Sequence, residues 1–296
     1  MFRTFASALF AAVVSAAGAD YSENGANWTG LCAYGREQSP IDLKDATPNS
    51  TMEVIGYNYY DFKVQSTFKN DKSNYAKTIN FDVDSLRKQA ELELTFADGS
   101  KSYFQPLQFH FHAPSEHAVN GKLYDLEVHF VHTTRGSHEV PVGGSAVAQD
   151  ELAAAVIGIF FDVQEGGDFD NAFLDAMFIA IAGKGLSTPP KVPLRDFLSR
   201  IDMSEYWSYK GSLTTPPCTE GLKWTVIKQV QPISKAQLQK FTQYLADDAS
   251  FGGGNGNNRV VQPLHDRTLY MASESGATYI TASLVAAATA MVALAF

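Results

Sequence analysis

Short runs in which apolar and polar positions alternate recur along the chain and predict β-strands, because successive side chains of a strand point to opposite faces of a sheet. Helical spacing of apolar residues occurs at 169–182 and 236–246, and Ser234 is a candidate N-cap for the second helix. The pattern therefore predicts a mainly β protein with short peripheral helices. The strand-like runs lie at 79–83, 91–97, 103–112, 124–132, 155–163 and 222–229.

Composition places the 296-residue chain among globular proteins, with 45% apolar and 19% charged residues. These fractions exclude a disordered or fibrous chain and argue against a membrane protein with several spans. The net charge of -9, with 23 basic against 32 acidic residues, and the lack of a Lys/Arg cluster exclude a nucleic-acid-binding surface. Residues 20–275 show no repeat, linker or shift in composition, so they predict one domain, with a flexible loop at 252–258.

The N-terminal residues have the pattern of a secretory signal peptide. Met1 and Arg3 precede an apolar stretch at 5–14, and Ala17-Gly18-Ala19 supplies the small residues that signal peptidase requires. A buried N-terminal helix would not explain why polar residues begin directly after this pattern. We therefore expect residues 1–19 to be removed and the protein to enter the secretory pathway.

The C-terminal residues resemble an attachment signal for a glycosylphosphatidylinositol (GPI) anchor. Small residues at 275–277 are followed by a polar spacer at 276–283 and an uncharged apolar tail at 284–296. A single-pass membrane helix is the alternative, although it usually continues into a basic cytoplasmic flank. We expect 276–296 to be replaced by lipid, so that the protein stays at the cell surface and meets the membrane through that anchor.

Secretion affects how the two cysteines and the two glycosylation sequons are interpreted. In an oxidising compartment an even number of cysteines predicts pairing, here between Cys32 and Cys218. Two buried free thiols are the alternative. The sequons at Asn27 and Asn49 are candidate glycosylation sites.

Three of the seven histidines lie in segments that strand geometry can interpret. Alternation along 107–112 separates an apolar face from a polar face. The apolar face carries Leu107, Phe109 and Phe111, and the polar face carries Gln108, His110 and His112. One face is therefore predicted to be core and the other to carry chemistry.

A hairpin signal brings a third histidine to the polar face. Asn120-Gly121 predicts a two-residue turn, and counting outward from it places His112 opposite His129. Pro114 weakens this register, since proline cannot donate to a central ladder and marks a bulge or break. A slip by an even number of residues would leave the shared face intact. The same alternation places His132 on the opposite face, in the core.

Three imidazoles on one face predict a zinc site. Zn²⁺ binds neutral histidine nitrogens in tetrahedral geometry, and His110, His112 and His129 would leave its fourth position open for water, as in catalytic sites. Gln108 and Glu127 lie on the same face and could accept hydrogen bonds from these rings, fixing their orientation. A hydrogen-bonded core position is the alternative for any single histidine, but it does not explain all three together.

Six segments carry recognisable motifs: 108–112, 115–117, 127–132 and 211–217, together with 38–41 and 262–264. The first four resemble the zinc-site and gate motifs of α-class carbonic anhydrases, and the last two resemble further markers of that family. The resemblance spans about 28–267, nearly the whole predicted domain. The cysteine pair also matches the pair that forms a disulfide in secreted members of the family.

The resemblance implies a large, twisted, mostly antiparallel sheet and reversible hydration of CO₂ to bicarbonate and a proton, by attack of a zinc-bound hydroxide on CO₂. In that case Thr214 would accept the hydroxide's hydrogen bond while donating to Glu116, and Thr215 would line the bicarbonate site. His110, His112 and His129 would bind the zinc. The CO₂ pocket would be lined by Val131, Val156, Leu213 and Trp224.

One position departs from the fastest members of the family, which carry a proton-shuttle histidine in the region corresponding to 70–79. The nearest match in this chain is Tyr75. Two other functions stay open from sequence: a non-catalytic surface protein, as in relatives that have lost zinc ligands, and ester hydrolysis as a side activity of the same site. The intact set of His110, His112, His129, Glu116 and Thr214 favours the enzyme.

Overall fold

The computed structural model describes residues 21–49, 54–59, 62–63, 78–80, 91–95, 101–134, 154–182, 191–246 and 256–272. The predicted signal peptide, the predicted anchor signal, Tyr75 and most of the predicted strand at 79–83 lie outside these residues. Within them, no helix has both the length and the apolar character needed to cross a membrane.

Strands dominate the described residues, which confirms the prediction of a mainly β protein. The helices are α1 (Leu31–Tyr34), α2 (Ala172–Ala182), α3 (Leu194–Ser199) and α4 (Lys235–Ala246). The strands are β1 (Thr47–Asn49), β2 (Val54–Asn58), β3 (Phe62–Lys63), β4 (Thr78–Asn80), β5 (Glu91–Thr95), β6 (Lys101–His112), β7 (Ala118–Val119), β8 (Lys122–Leu123), β9 (Leu126–Thr134), β10 (Ala154–Val163), β11 (Lys191–Val192), β12 (Tyr206–Ser212), β13 (Glu220–Ile233) and β14 (Tyr270–Ala272).

One large mixed sheet organises the described chain. Its strands follow the order β1-β14-β12-β13-β10-β9-β6-β5-β2, and β4 also pairs with β6. The pairs β10–β13 and β1–β14 are parallel, and the other pairs on this path are antiparallel. Parallel neighbours need a long crossover connection, which for β10 and β13 includes α2, α3 and β12. The sheet is therefore mixed, with mostly antiparallel pairing.

The two central strands β6 and β9 determine which histidines face each other. His110 pairs with His129, and His112 pairs with Glu127. The predicted pairing of His112 with His129 is wrong by two residues, because the hairpin of β7 and β8 forms a separate two-stranded sheet after the break at Pro114. A slip of two keeps every side chain on its face, so the three histidines still share one face.

The sheet separates two apolar clusters. Phe109, Phe111 and Phe130 belong to the cluster on one side, together with Phe173 of α2 and Phe197 of α3. On the other side a second cluster includes residues of β9, β10, β12 and β13. The alternation along β6 and β9 thus separates a mainly apolar layer from the layer that holds His110, His112 and His129.

Both longer helices lie close to their predicted positions. Helix α4 begins at Lys235, and Ser234 Oγ accepts a hydrogen bond from Gln237 N at 3.1 Å, while Gln237 Oε1 accepts one from Ser234 N at 3.4 Å. This reciprocal pair is a capping box, which confirms Ser234 as the N-cap. Helix α2 begins at Ala172 rather than at 169, because Asn171 Oδ1 accepts the hydrogen bond of Phe173 N at 3.1 Å and caps the helix there.

Candidate metal centre

The three histidines of β6 and β9 form one compact group of buried rings. The His110 ring centre lies 4.9 Å from that of His112 and 5.2 Å from that of His129, and the last two centres are 4.6 Å apart. One ring nitrogen from each residue lies within 4.8 Å of the other two. The sheet thus brings three nitrogen donors to a single point.

The hydrogen bonds of these rings leave nitrogens available for a metal. His110 Nδ1 is 2.8 Å from Gln108 Oε1, and His112 Nδ1 is 2.8 Å from Asn257 O. His112 Nε2 is buried without a hydrogen bond, and His129 Nε2 lies 2.9 Å from Glu127 Oε1, which leaves His129 Nδ1 for a metal. Because a buried polar atom without a partner costs about 1–3 kcal/mol, the orphaned His112 nitrogen is the observation that best fits a metal ligand.

The charge state of the rings also suits a metal. Burial, together with the neighbouring imidazoles, lowers the pKa of His110 well below its ordinary value and that of His112 to about 3. At neutral pH these rings are therefore neutral, which is the form that binds Zn²⁺. The donor set fits zinc in atom type, and His110 and His112 also fit in charge.

Glu127 connects the centre to a deeper polar network. Its Oε1 lies 2.7 Å from His117 Nδ1, and its Oε2 accepts hydrogen bonds from the backbone N–H groups of Glu116 and His117, both at 2.9 Å. Burial alone would raise the Glu127 pKa, but His117 and His129 hold it well below its usual range. His117 Nε2 is also 2.7 Å from Tyr209 Oη. His117 and Glu127 are thus occupied by one another and by these partners, so they form a supporting network rather than a second metal site.

Asn257 is a supporting residue that no sequence pattern indicates. Its carbonyl meets His112 Nδ1, its Oδ1 accepts from Ala113 N at 2.8 Å, and its Nδ2 donates to Phe111 O at 3.0 Å. The prediction of a flexible loop at 252–258 is therefore wrong for Asn257 and Asn258, which are buried. The glycines of this segment suggested a loop, and nothing nearby in sequence indicated a partner in β6.

Glu116 and Thr214 lie together beside the histidines. Glu116 Oε1 accepts a hydrogen bond from Arg259 N at 2.9 Å, and Oε2 lies 3.3 Å from His112 Nε2. Burial raises the Glu116 pKa to about 7, against the lowering effects of His129, the Thr214 hydroxyl and the Arg259 N–H. Thr214 is buried in the turn that follows β12. The structure therefore brings the predicted carboxylate and hydroxyl to the same place.

The predicted substrate-pocket residues form part of the second apolar cluster. Val156 of β10 is paired with Val131 on one side and with Trp224 on the other. The Trp224 ring centre lies 4.8 Å from that of His129, and Leu213 is partly buried against the same cluster. Thr215, next to Thr214, is partly exposed. An apolar wall thus reaches the histidine rings.

The remaining predicted residues are placed as follows. Cys32 of α1 and Cys218 form a disulfide with an S–S distance of 2.12 Å, as predicted. Asn27 is exposed. The Asn49 side chain lies outside the described residues, as does Tyr75. His132 is buried on the opposite side of the sheet from the centre, as predicted, with Nδ1 at 3.2 Å from Ala155 O and its other nitrogen against Tyr59 Oη.

Acid is expected to destabilise the metal-free protein partly through His132. Burial lowers the pKa of His132 to about 4, whereas an unfolded histidine titrates near 6.5. Between these values the unfolded chain binds a proton that the folded chain does not, so the free energy of unfolding falls as the pH falls from about 6.5 to 4. Urea titrations at several pH values should give His132→Gln a slope shallower by up to about 1.4 kcal/mol per pH unit. An unchanged slope would contradict this assignment.

The number of protein ligands indicates the class of site. Structural zinc sites have four protein ligands, whereas catalytic sites have three and keep one position open. In the part of the chain that the structure describes, the group that converges here contributes three histidines, with a carboxylate, a hydroxyl and an apolar wall around them. Three nitrogen donors with these neighbours have the composition of a catalytic, mononuclear class of metal site rather than of a structural one.

Comparison with known proteins places the chain within this class. The family described as "Eukaryotic-type carbonic anhydrase" matches residues 23–273, and the chain belongs to that family of enzymes. It is 30% identical over 251 residues to alpha carbonic anhydrase 3 of Arabidopsis thaliana, covering 84% of this chain and 79% of that protein. It is 32% identical over 244 residues to a carbonic anhydrase of Klebsiella pneumoniae, covering 80% and 81%.

Solved structures support the same family. The α-carbonic anhydrase of Photobacterium profundum matches with a TM-score of 0.55 at 29% identity, covering 84% of this chain and 95% of that one. The α-carbonic anhydrase of Thermovibrio ammonificans, solved with the inhibitor sulfanilamide, matches with a TM-score of 0.51 at 29% identity, covering 81% and 89%. The resemblance seen in the sequence motifs thus extends to the α-type fold.

Proposed function

We propose that this carbonic anhydrase catalyses the reversible hydration of CO₂ to bicarbonate with a zinc ion held by His110, His112 and His129. The observation that carries the proposal is the buried His112 Nε2, which has no hydrogen bond and lies in a group of three converging imidazole donors. Zinc bound by such a set lowers the pKa of water to about 7 and so supplies hydroxide at neutral pH, a value measured for carbonic anhydrase itself.

The chain's own residues orient the reactants. With Glu116 ionised, the Thr214 hydroxyl, which helps to lower the pKa of that carboxylate, would donate its hydrogen to it, and the Thr214 oxygen would then be free to accept a hydrogen bond from the nucleophile. Val131, Val156, Leu213 and Trp224 form a wall that suits a small uncharged molecule. Thr215 is partly exposed in the same turn and would contact bicarbonate. Gln108, Asn257 and Glu127 hold the rings in position.

Stopped-flow CO₂ hydration and metal analysis of the purified protein test this function together. We expect hydration that depends on bound zinc, with any ester hydrolysis appearing as a weaker activity of the same metal-loaded protein. A zinc-containing protein that does not hydrate CO₂ would contradict the proposal and favour a non-catalytic surface protein.

Proton export is expected to depend on buffer. A proton must leave the site in each turnover, and tyrosine, with a pKa near 10, does not accept a proton readily at pH 7, whereas imidazole does. If Tyr75 occupies the shuttle position, turnover at saturating CO₂ should rise with imidazole concentration, and Tyr75→His should raise it at low buffer. A high rate that is independent of buffer in the wild type would show that another group, for which His138 is the next candidate, carries the proton.

We also propose that residues 20–275 form the catalytic domain of a secreted protein with a C-terminal lipid anchor. The signal-peptide pattern and the small-residue, spacer and apolar-tail pattern support this location. Phosphatidylinositol-specific phospholipase is expected to release the protein from intact cells, with detergent extraction as the control. Extraction by detergent without release by phospholipase, also after lipid deacylation, would favour a transmembrane tail.

A further inference from the structure

The side chain of Arg259 is buried among acceptors from the N-terminal part of the domain. The residue is 1% exposed, and its Nη1 donates to Gln38 Oε1 at 3.0 Å and to Ser39 O at 2.7 Å. Its Nη2 donates to Cys32 O at 2.7 Å, and Cζ lies 5.6 Å from the centre of the Trp28 ring. Burial lowers the Arg259 pKa to about 10, so the group stays charged at neutral pH. Such a charge needs this set of acceptors to be stable in the interior.

The backbone of the same residue contacts the candidate centre. Arg259 N donates to Glu116 Oε1 at 2.9 Å, and the Glu116 carboxylate also interacts with the Thr214 hydroxyl. Hydrogen bonds therefore hold Arg259 through both its backbone amide and its guanidinium. Its amide bonds the carboxylate that meets Thr214, and its guanidinium bonds the carbonyl of Cys32.

The disulfide continues this path to the turn that carries Thr214. Cys32 is bonded to Cys218, whose N–H donates to Thr215 O at 2.8 Å, and Gln38 Nε2 donates to Cys218 O at 3.0 Å. Cys218 has φ 57°, in the left-handed region that a residue with a side chain adopts at a cost. The bridge and Gln38 therefore hold the far end of this turn against the N-terminal segment.

We propose that Arg259 is a positioning residue that acts together with the Cys32–Cys218 bridge to hold Glu116 against Thr214. The proposal rests on the function proposed above. The contacts run from Glu116 through Arg259, Cys32 and the bridge to Thr215, and the neighbouring Thr214 hydroxyl acts on the Glu116 carboxylate. We expect loss of the guanidinium and loss of the bridge to have the same effect, which is a looser contact between Glu116 and Thr214.

A double-mutant cycle tests whether Arg259 affects catalysis through Thr214. Arg259→Lys keeps the charge but loses the planar fork that bonds several acceptors at once. We expect kcat for CO₂ hydration to fall about tenfold at unchanged zinc content, as for other residues that orient a metal site. In a Thr214→Ala background the same change should lower kcat by less than about twofold, because the pair it positions is already lost. Equal losses in the two backgrounds would overturn the proposal.

A matched control is Arg267→Lys. The Arg267 guanidinium also donates to three carbonyls, those of Lys210, Pro263 and Leu264. These acceptors belong to neither Glu116 nor the bridged segment. We expect Arg267→Lys to leave kcat unchanged in both backgrounds.

A second measurement is independent of activity. The rate at which dithiothreitol reduces the bridge in the full-length protein should rise severalfold in Arg259→Lys relative to the wild type and to Arg267→Lys, because the guanidinium no longer holds the Cys32 carbonyl and the bridge becomes more accessible. Gln38→Ala, which removes one acceptor of the guanidinium and the donor to Cys218 O, should act in the same direction if Arg259→Lys does not fold. Equal reduction rates in all variants would overturn the coupling. If the bridge of the wild type is reduced more slowly than that of Arg259→Lys but the wild type does not hydrate CO₂, the proposed function is refuted and the coupling is not.

Discussion

Replacing His112 by alanine is expected to abolish zinc retention and CO₂ hydration together. His112 supplies a buried nitrogen with no hydrogen bond, and without it two imidazoles remain at the point where three converge. Changes in residues that merely support a ligand already lower metal affinity by about 10–100-fold, so loss of a ligand should exceed about 100-fold. Metal analysis after dialysis and stopped-flow kinetics on the same sample measure both effects.

The control for this prediction is His132→Gln. His132 is equally buried but lies on the other side of the sheet, so its removal should leave the zinc content unchanged. Full activity with an unchanged metal stoichiometry in His112→Ala would remove His112 from the site.

Replacing Thr214 by alanine is expected to lower turnover while the metal stays bound. Thr214 is not one of the three converging donors, but its hydroxyl meets the Glu116 carboxylate beside them. A preorganised hydrogen-bonding group at a reacting centre typically contributes about 100-fold or more to kcat, so we expect a loss of about that size. Thr214→Ser restores the hydroxyl and should recover much of the rate. An unaffected rate in Thr214→Ala would exclude Thr214 from the mechanism.

The face on which the histidines lie could be predicted from sequence, whereas their exact pairing could not. Alternation along β6 and β9 assigns each side chain to a face, and the assignment survives a slip of two residues. The register was wrong because it was counted from the Asn120-Gly121 turn, whose hairpin does not continue into the main sheet. Counting from a turn requires an unbroken ladder, and Pro114 interrupts it.

The contacts of the supporting residues could not be predicted from local sequence patterns. Asn257 meets His112 across 145 positions of sequence, and Arg259 meets Glu116 across 143. Neither contact has a periodic or turn signal near it. The parallel pairing of β10 with β13 was likewise hidden, because a strand's side-chain pattern does not determine the direction of its neighbour. Strand β12, with Lys210 and Gly211 near its end, lacks the apolar alternation that marked the other central strands.

Titration of zinc into the metal-free protein, followed by stopped-flow CO₂ hydration, tests most directly whether a three-histidine zinc centre carries the activity. We expect the rate to rise in proportion to added zinc up to about one equivalent per chain and then to stay constant, since the site takes a single ion. His112→Ala, titrated in parallel, should stay inactive throughout. Full hydration by the metal-free wild type, or tight binding of one equivalent of zinc without hydration, would contradict the account.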